Sequence, residues 1–89
     1  MTVELFGMAR ALAGAAHVDL ALDVAPDAAA LLRALADAVP ALVPDVIAPS
    51  RDALVEPNLL LLDGRRAPAA DEPIAATDRP CLLFLASGG

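Results

Sequence analysis

The sequence predicts an α+β domain, a mixed sheet with one main helix packed across it. Three segments predict it. Residues 17–24 alternate apolar and polar, the period of a half-buried strand. Residues 27–39 carry apolar side chains at helical spacing between Asp27 and Pro40. Residues 81–85 are apolar on both faces, as a central strand requires. At 89 residues there is room for one core only. So short a chain buries about 60–65% of its unfolded surface, too little to enclose a deep substrate cavity.

The elements follow in order. Thr2 to Phe6 reads as a strand with Val3 and Leu5 on one face and Thr2, Glu4 and Phe6 on the other. Gly7 ends it. Met8 to Ala13 favours a short helical turn closed by Gly14. In the strand 17–24, Val18, Leu20, Leu22 and Val24 point inward, and His17, Asp19, Ala21 and Asp23 outward. Asp27 caps the helix, where its charge suits the positive end. Leu31, Leu32, Leu35 and Val39 form the buried stripe, with Arg33 and Asp37 four apart on the outer side. Pro40 stops the helix.

Residues 40–57 hold four prolines and read as a long connection with room for a turn of 3₁₀ helix. Asn58 to Leu62 is the next strand, and Asp63-Gly64 marks a tight turn into a short strand near Arg66. Residues 71–78 are turn-like. Cys81 to Leu85 is the last strand, and Ala86-Ser87-Gly88-Gly89 follows as a tail. The order β-β-α-β-β-β describes a β-grasp, the ubiquitin-like roll, with the last strand central and parallel to the first. The expected organisation is one β-grasp domain over residues 1–85 and a flexible tail over 86–89.

Charge narrows the function. The net charge is −6, with 12 acidic residues against 6 basic ones, all Arg. Nucleic acids and anionic membranes are bound through clustered Lys and Arg, so neither is an expected partner. A basic protein surface is the natural complement. Mean hydropathy is +0.64, raised by Ala and Leu rather than by an apolar run of spanning length. One cysteine and no visible signal peptide fit a cytoplasmic setting.

The chemistry points to the end of the chain. Two glycines at two given positions arise by chance about 0.5% of the time at average glycine usage. Glycine lacks Cβ, so Gly88-Gly89 can extend through a narrow channel and present the Gly89 carboxylate to an enzyme. A carboxylate is a poor acyl donor. Its attack on the α-phosphate of ATP makes an acyl-adenylate, and a sulfur nucleophile can displace that to leave a thiocarboxylate.

These pieces resemble the MoaD/ThiS sulfur carriers, and within them the small subunits of molybdopterin synthase. The resemblance covers nearly the whole chain. It rests on Val3-Glu4-Leu5-Phe6-Gly7-Met8-Ala9-Arg10-Ala11-Leu12-Ala13-Gly14, Leu31-Leu32-Arg33-Ala34-Leu35, Asp71-Glu72-Pro73-Ile74, Asp78, and the Leu-rich strand into Ser87-Gly88-Gly89. It implies that Gly89 is adenylated by an E1-like enzyme, with ATP used by that partner and no cofactor or metal held here. A sulfurtransferase or cysteine desulfurase supplies the sulfur. It also implies a large catalytic subunit that receives the tail and passes sulfur to the molybdopterin precursor. This chain is then a sulfur-donor subunit and not an enzyme alone. The tail reads Ser-Gly-Gly where the family often has Thr-Gly-Gly, and Asp63 stands where Asn is frequent. Thiazole, cysteine and secondary-metabolite pathways stay open as destinations, as does a ubiquitin-like modifier joined to target lysines.

With Val3, Leu5, Leu82 and Phe84 facing the helix, the opposite face holds Phe6, Cys81, Leu83 and Leu85, an apolar patch beside the tail. The resemblance makes that face the contact with both the activating enzyme and the large subunit, at Phe6 and Leu83. Leu85 and Ser87 adjoin them, and Arg65, Arg66 and Arg10 are candidate ion-pair partners. Cys81 reads as a packing residue and His17 as a surface residue. No orienting group or cavity supports a Cys–His catalytic pair. Asp71 and Glu72 lie in a turn with no pocket implied.

Overall fold

The computed structural model describes residues 1–22 and 25–84. Seven elements follow in chain order: β1 (Thr2–Leu5), α1 (Gly7–Ala13), β2 (His17–Asp19), α2 (Ala28–Ala38), a 3₁₀ turn (Pro40–Leu42), β3 (Asn58–Leu62) and β4 (Pro80–Phe84). The four strands form one sheet in the order β2-β1-β4-β3. β1 pairs antiparallel with β2 and parallel with β4, and β4 pairs antiparallel with β3. The last strand is thus central and parallel to the first, as the sequence predicts.

Local chemistry sets the elements. β1 alternates with Val3 and Leu5 buried. α1 ends at Gly14, whose φ of 70° is left-handed and cheap only for glycine. α2 starts at Asp27, whose carboxylate accepts the Ala30 N–H at 2.7 Å. Leu31 and Leu35 are fully buried and Leu32 nearly so. Each such side chain contributes about 1.5–3 kcal/mol over an exposed one. The turn after β3 holds Asp63 and Gly64 at positive φ (56° and 70°), and the Arg65 N–H closes it on the Leu62 carbonyl at 3.0 Å.

Three expectations change. Strand β2 covers three residues, not eight. Its register with β1 ends at the Thr2–Asp19 rung, and Leu20 N–H donates to the Met1 carbonyl at 2.7 Å. The inward alternation still holds, because Leu20 is buried and Val18 and Leu22 pack against the core; Asp23 and Val24 lie outside the described residues. The short strand near Arg66 is a single bridge to Leu62, so the sheet has four strands among the described residues. Arg33 and Asp37 are both exposed, as read, and Asp37 pairs with Arg51 at 2.5 Å.

The connection 40–57 is also more than a link. Leu42, Val46 and Ile47 from it are fully buried in the core. An Ile47–Leu54 bridge and the Val55 N–H bond to the Val46 carbonyl at 2.9 Å fold it back on itself. Further along, Ile74 is fully buried, and its N–H donates to the Pro26 carbonyl at 2.8 Å, tying the 71–78 turns to the start of α2.

Among the described residues no helix is long and apolar enough to cross a membrane.

Candidate functional site

The sheet has one face against α2 and the core and one face turned away. Pleating and register place each residue of the outer face. Phe6 continues β1 in extended geometry, and its N–H donates to the Leu82 carbonyl at 2.9 Å. One step on from the Leu5–Leu82 rung, Phe6 therefore stands beside Leu83. Leu83 in turn pairs with Leu59 on β3. Phe6, Leu83 and Leu59 form an apolar row across three strands. Phe6 is 43% exposed, and the two leucines are half-buried. The row lies at the end of β4 from which the chain continues to residues 85–89.

The next row is mostly polar. His17 pairs with Glu4, Glu4 with Cys81, and Cys81 with half-buried Leu61. Beside it lies a shallow concavity of about 520 Å³, lined by Glu4, Asp63, Gly64, Arg65, Arg79 and Cys81. Asp63 is locked in place. Its carboxylate accepts the Arg79 N–H at 3.0 Å, and its own N–H donates to the Arg79 carbonyl at 2.9 Å. The turn thus holds Arg65 at the rim.

The sequence places Phe6, Leu83 and Arg65 on this side, and the structure brings Phe6 and Leu83 together. Arg66 is engaged elsewhere: it pairs with Glu72 at 2.5 Å. That guanidinium, a backbone bond from Ala69 and the charge of Arg66 hold the Glu72 carboxyl below its usual range. Asp71 and Glu72 sit at a turn, where the Glu72 carboxylate also accepts the Ala69 N–H at 3.3 Å. Leu85, Ser87, Gly88 and Gly89 lie outside the described residues.

Cys81 keeps the face and the packing role read for it, and Phe84 differs in its exposure. Cys81 lies on the outer face and is buried, at 9% exposure, between Glu4 and the Asp63 turn, as a packing residue would be. Burial pushes its thiol up, and the Glu4 charge adds to that. Phe84, expected against the helix, is 40% exposed. Its neighbour is Gly7 at the start of α1, where a Cβ would stand 3.5 Å from the Phe84 Cβ. A glycine has no side chain to cover the ring.

Leu59 and Leu61 were not singled out by the sequence, because a run of four leucines gives no sign of which face each takes. The signal lies in the pairing: residues opposite Leu83 and Cys81 must share their face. Among the described residues no cluster of three or more His, Cys, Asp or Glu could hold a metal ion.

The fold and this face define a ubiquitin-like β-grasp protein. The crystal structure of SAMP1 from Haloferax volcanii superimposes with a TM-score of 0.81 at 31% identity, over 99% of this chain and 97% of that one. A second crystal structure, H. volcanii small archaeal modifier protein 1, gives 0.78 at 29% identity over 93% of each chain. The chain belongs to the ubiquitin-like β-grasp family of these small archaeal modifier proteins. No family model and no curated protein matches it by sequence.

Proposed function

We propose that this chain is a cytoplasmic, ubiquitin-like sulfur carrier that works through Gly89. The observation that carries the reading is the position of β4: a central strand of a ubiquitin-like sheet, running past the Phe6–Leu83–Leu59 row toward Ser87-Gly88-Gly89. Five residues extend at most about 18 Å, enough to reach into a partner's active site while that row rests on the partner's surface.

The chemistry follows. An E1-like enzyme binds the outer face and threads the tail. A Gly89 carboxylate oxygen attacks the α-phosphorus of ATP, and pyrophosphate leaves. Hydrosulfide adds to the acyl carbon. The C–O bond breaks, AMP leaves, and the C-terminus becomes a thiocarboxylate. Where a sulfurtransferase or cysteine desulfurase delivers the sulfur as a persulfide, its outer sulfur adds instead, and a thiol reductant then cleaves the acyl disulfide to release the thiocarboxylate. In the first reading a large catalytic subunit then accepts the tail and passes the sulfur to the molybdopterin precursor. Thiazole, cysteine and secondary-metabolite routes use the same carrier step. This chain supplies the sulfur and a handle, and its partner supplies catalysis.

The relatives favour a second reading. One of the similar crystal structures is of a protein named small archaeal modifier protein 1. In that reading, the activated Gly89 is transferred to an amine on a target protein, and AMP leaves with formation of an amide.

Intact mass after incubation with an E1-like enzyme, ATP and a sulfur donor tests both readings. A shift equal to one oxygen replaced by sulfur, lost on deleting Gly89, is the carrier outcome. High-mass adducts in cell extract, also lost on that deletion, are the modifier outcome. A folded protein that gives neither product defeats both.

A further inference from the structure

We propose that the chain is a one-way acyl donor: once Gly89 is activated, the chain offers no competent nucleophile to receive it, so each product carries a single copy. This rests on the activation of Gly89 proposed above. An activated acyl end is consumed by any amine or thiolate that reaches it. The nitrogen or sulfur attacks the acyl carbon, the bond to AMP or sulfur breaks, and the proton of the attacking group passes to solvent. At high local concentration the nearest supply of such groups is another copy of the same protein.

The chain withholds each group. All six of its basic residues are Arg, and guanidinium stays protonated and does not acylate in neutral water. The sole cysteine is Cys81. It is 9% exposed, and its Sγ lies 3.6 Å from the Arg79 carbonyl, to which it donates. Its outer-face neighbour is the Glu4 carboxylate, which opposes a thiolate. The Met1 amine donates to the Leu20 carbonyl at 2.8 Å in a part-buried bond that closes the β1–β2 edge. His17 is exposed, but an acyl-imidazole is hydrolysed and leaves no lasting link. Serine and threonine hydroxyls need an adjacent strong base to attack, and the one described side-chain partner of such a group is the Asp19 carboxylate on Thr2.

The acyl group must therefore pass to a nucleophile that another molecule brings. Self-linked chains and cyclised forms are not products. For a carrier, the loaded form survives until it meets its acceptor. For a modifier, each modified site bears one copy.

The test uses the full chain with a thioester installed chemically at Gly89, held at high concentration in mildly alkaline buffer and followed by intact mass. Arg33→Lys, on the exposed side of α2 and in no ion pair among the described residues, supplies one accessible amine. We expect hydrolysed monomer alone from the natural sequence and an amide-linked dimer from R33K. Added hydroxylamine converts both chains and shows the thioester to be reactive. Linked dimer from the natural sequence at the R33K level overturns the proposal. So does an absence of dimer from R33K, because nucleophile supply is then not what limits self-linkage. The thioester is made without any activating enzyme, so this result stands apart from whether an E1-like enzyme loads Gly89. The Gly89 deletion experiment reads that.

Discussion

Glu4 and Cys81 are register partners across the parallel β1–β4 ladder, side by side on the outer face of the sheet. Desolvation first, and then the Glu4 carboxylate, raise the Cys81 thiol above its ordinary value of 9.0. The folded thiol therefore holds its proton more tightly than the unfolded one. Its contribution to stability is complete below that ordinary value and is lost as pH rises through the folded value. We expect alkylation of Cys81 by iodoacetamide to be slower in the folded chain than in denaturant, and Glu4→Gln to speed the folded reaction. Equal rates folded and unfolded would show the thiol to be open.

The contact proposed for the outer row makes it the determinant of partner affinity. Phe6→Ser and Leu83→Ser should each weaken loading by an activating enzyme about tenfold or more, seen as a raised KM, because truncating a central apolar anchor costs roughly 1–2 kcal/mol. Thermal melting should show both variants still folded. An unchanged KM would remove the row from the interface.

Under the sheet, Leu82 and Leu35 are fully buried. Leu82→Ala or Leu35→Ala should cost about 2–5 kcal/mol in urea unfolding, the transfer and cavity terms together. A loss below about 1 kcal/mol would mean that the surrounding side chains collapse into the space.

Asp27 tests the start of α2. Its carboxylate takes the Ala30 N–H at 2.7 Å, so Asp27→Ala should cost about 1 kcal/mol, and Asp27→Asn or Asp27→Ser much less. The comparison separates loss of the cap from any change in fold.

The Arg66–Glu72 pair is exposed and should respond to salt. Because the Glu72 carboxyl is held below its usual range, any stabilisation it gives is present above the unfolded value. It disappears as pH falls through the folded one. Melting curves of the natural sequence and Glu72→Gln should therefore converge in acid and at high salt.

Much of this molecule is legible in its sequence wherever one residue type answers one local demand. Gly14 closes α1 because few other residues take its left-handed φ, Asp63-Gly64 makes the tight turn, and Asp27 caps α2. Other features depend on distant partners and are not written locally. His17 to Leu22 alternates inward as read, but a ladder needs a neighbour, and the pairing with β1 ends at Thr2 and Asp19. Cys81 and Phe84 sit on a strand that is apolar on both faces, and the strand itself does not say that Asp63 will cover one and Gly7 leave the other bare. The prolines of 40–57 announce a connection but do not show that Leu42, Val46 and Ile47 will fill the core. Within the candidate site, Phe6 and Leu83 were readable from alternation. Leu59 emerges only once β3 is known to lie against β4.

The central place of β4 has a consequence for how the protein is made. Its partner β1 is nearly the whole chain away, since Glu4 pairs with Cys81. The sheet cannot close during synthesis until that last strand has left the ribosome, and contacts so distant in sequence form late. A product cut short before residue 80 lacks the middle of its sheet and the glycine end alike. Under the carrier reading proposed above, a truncated chain thus offers an activating enzyme neither the assembled Phe6–Leu83 row nor the glycine end.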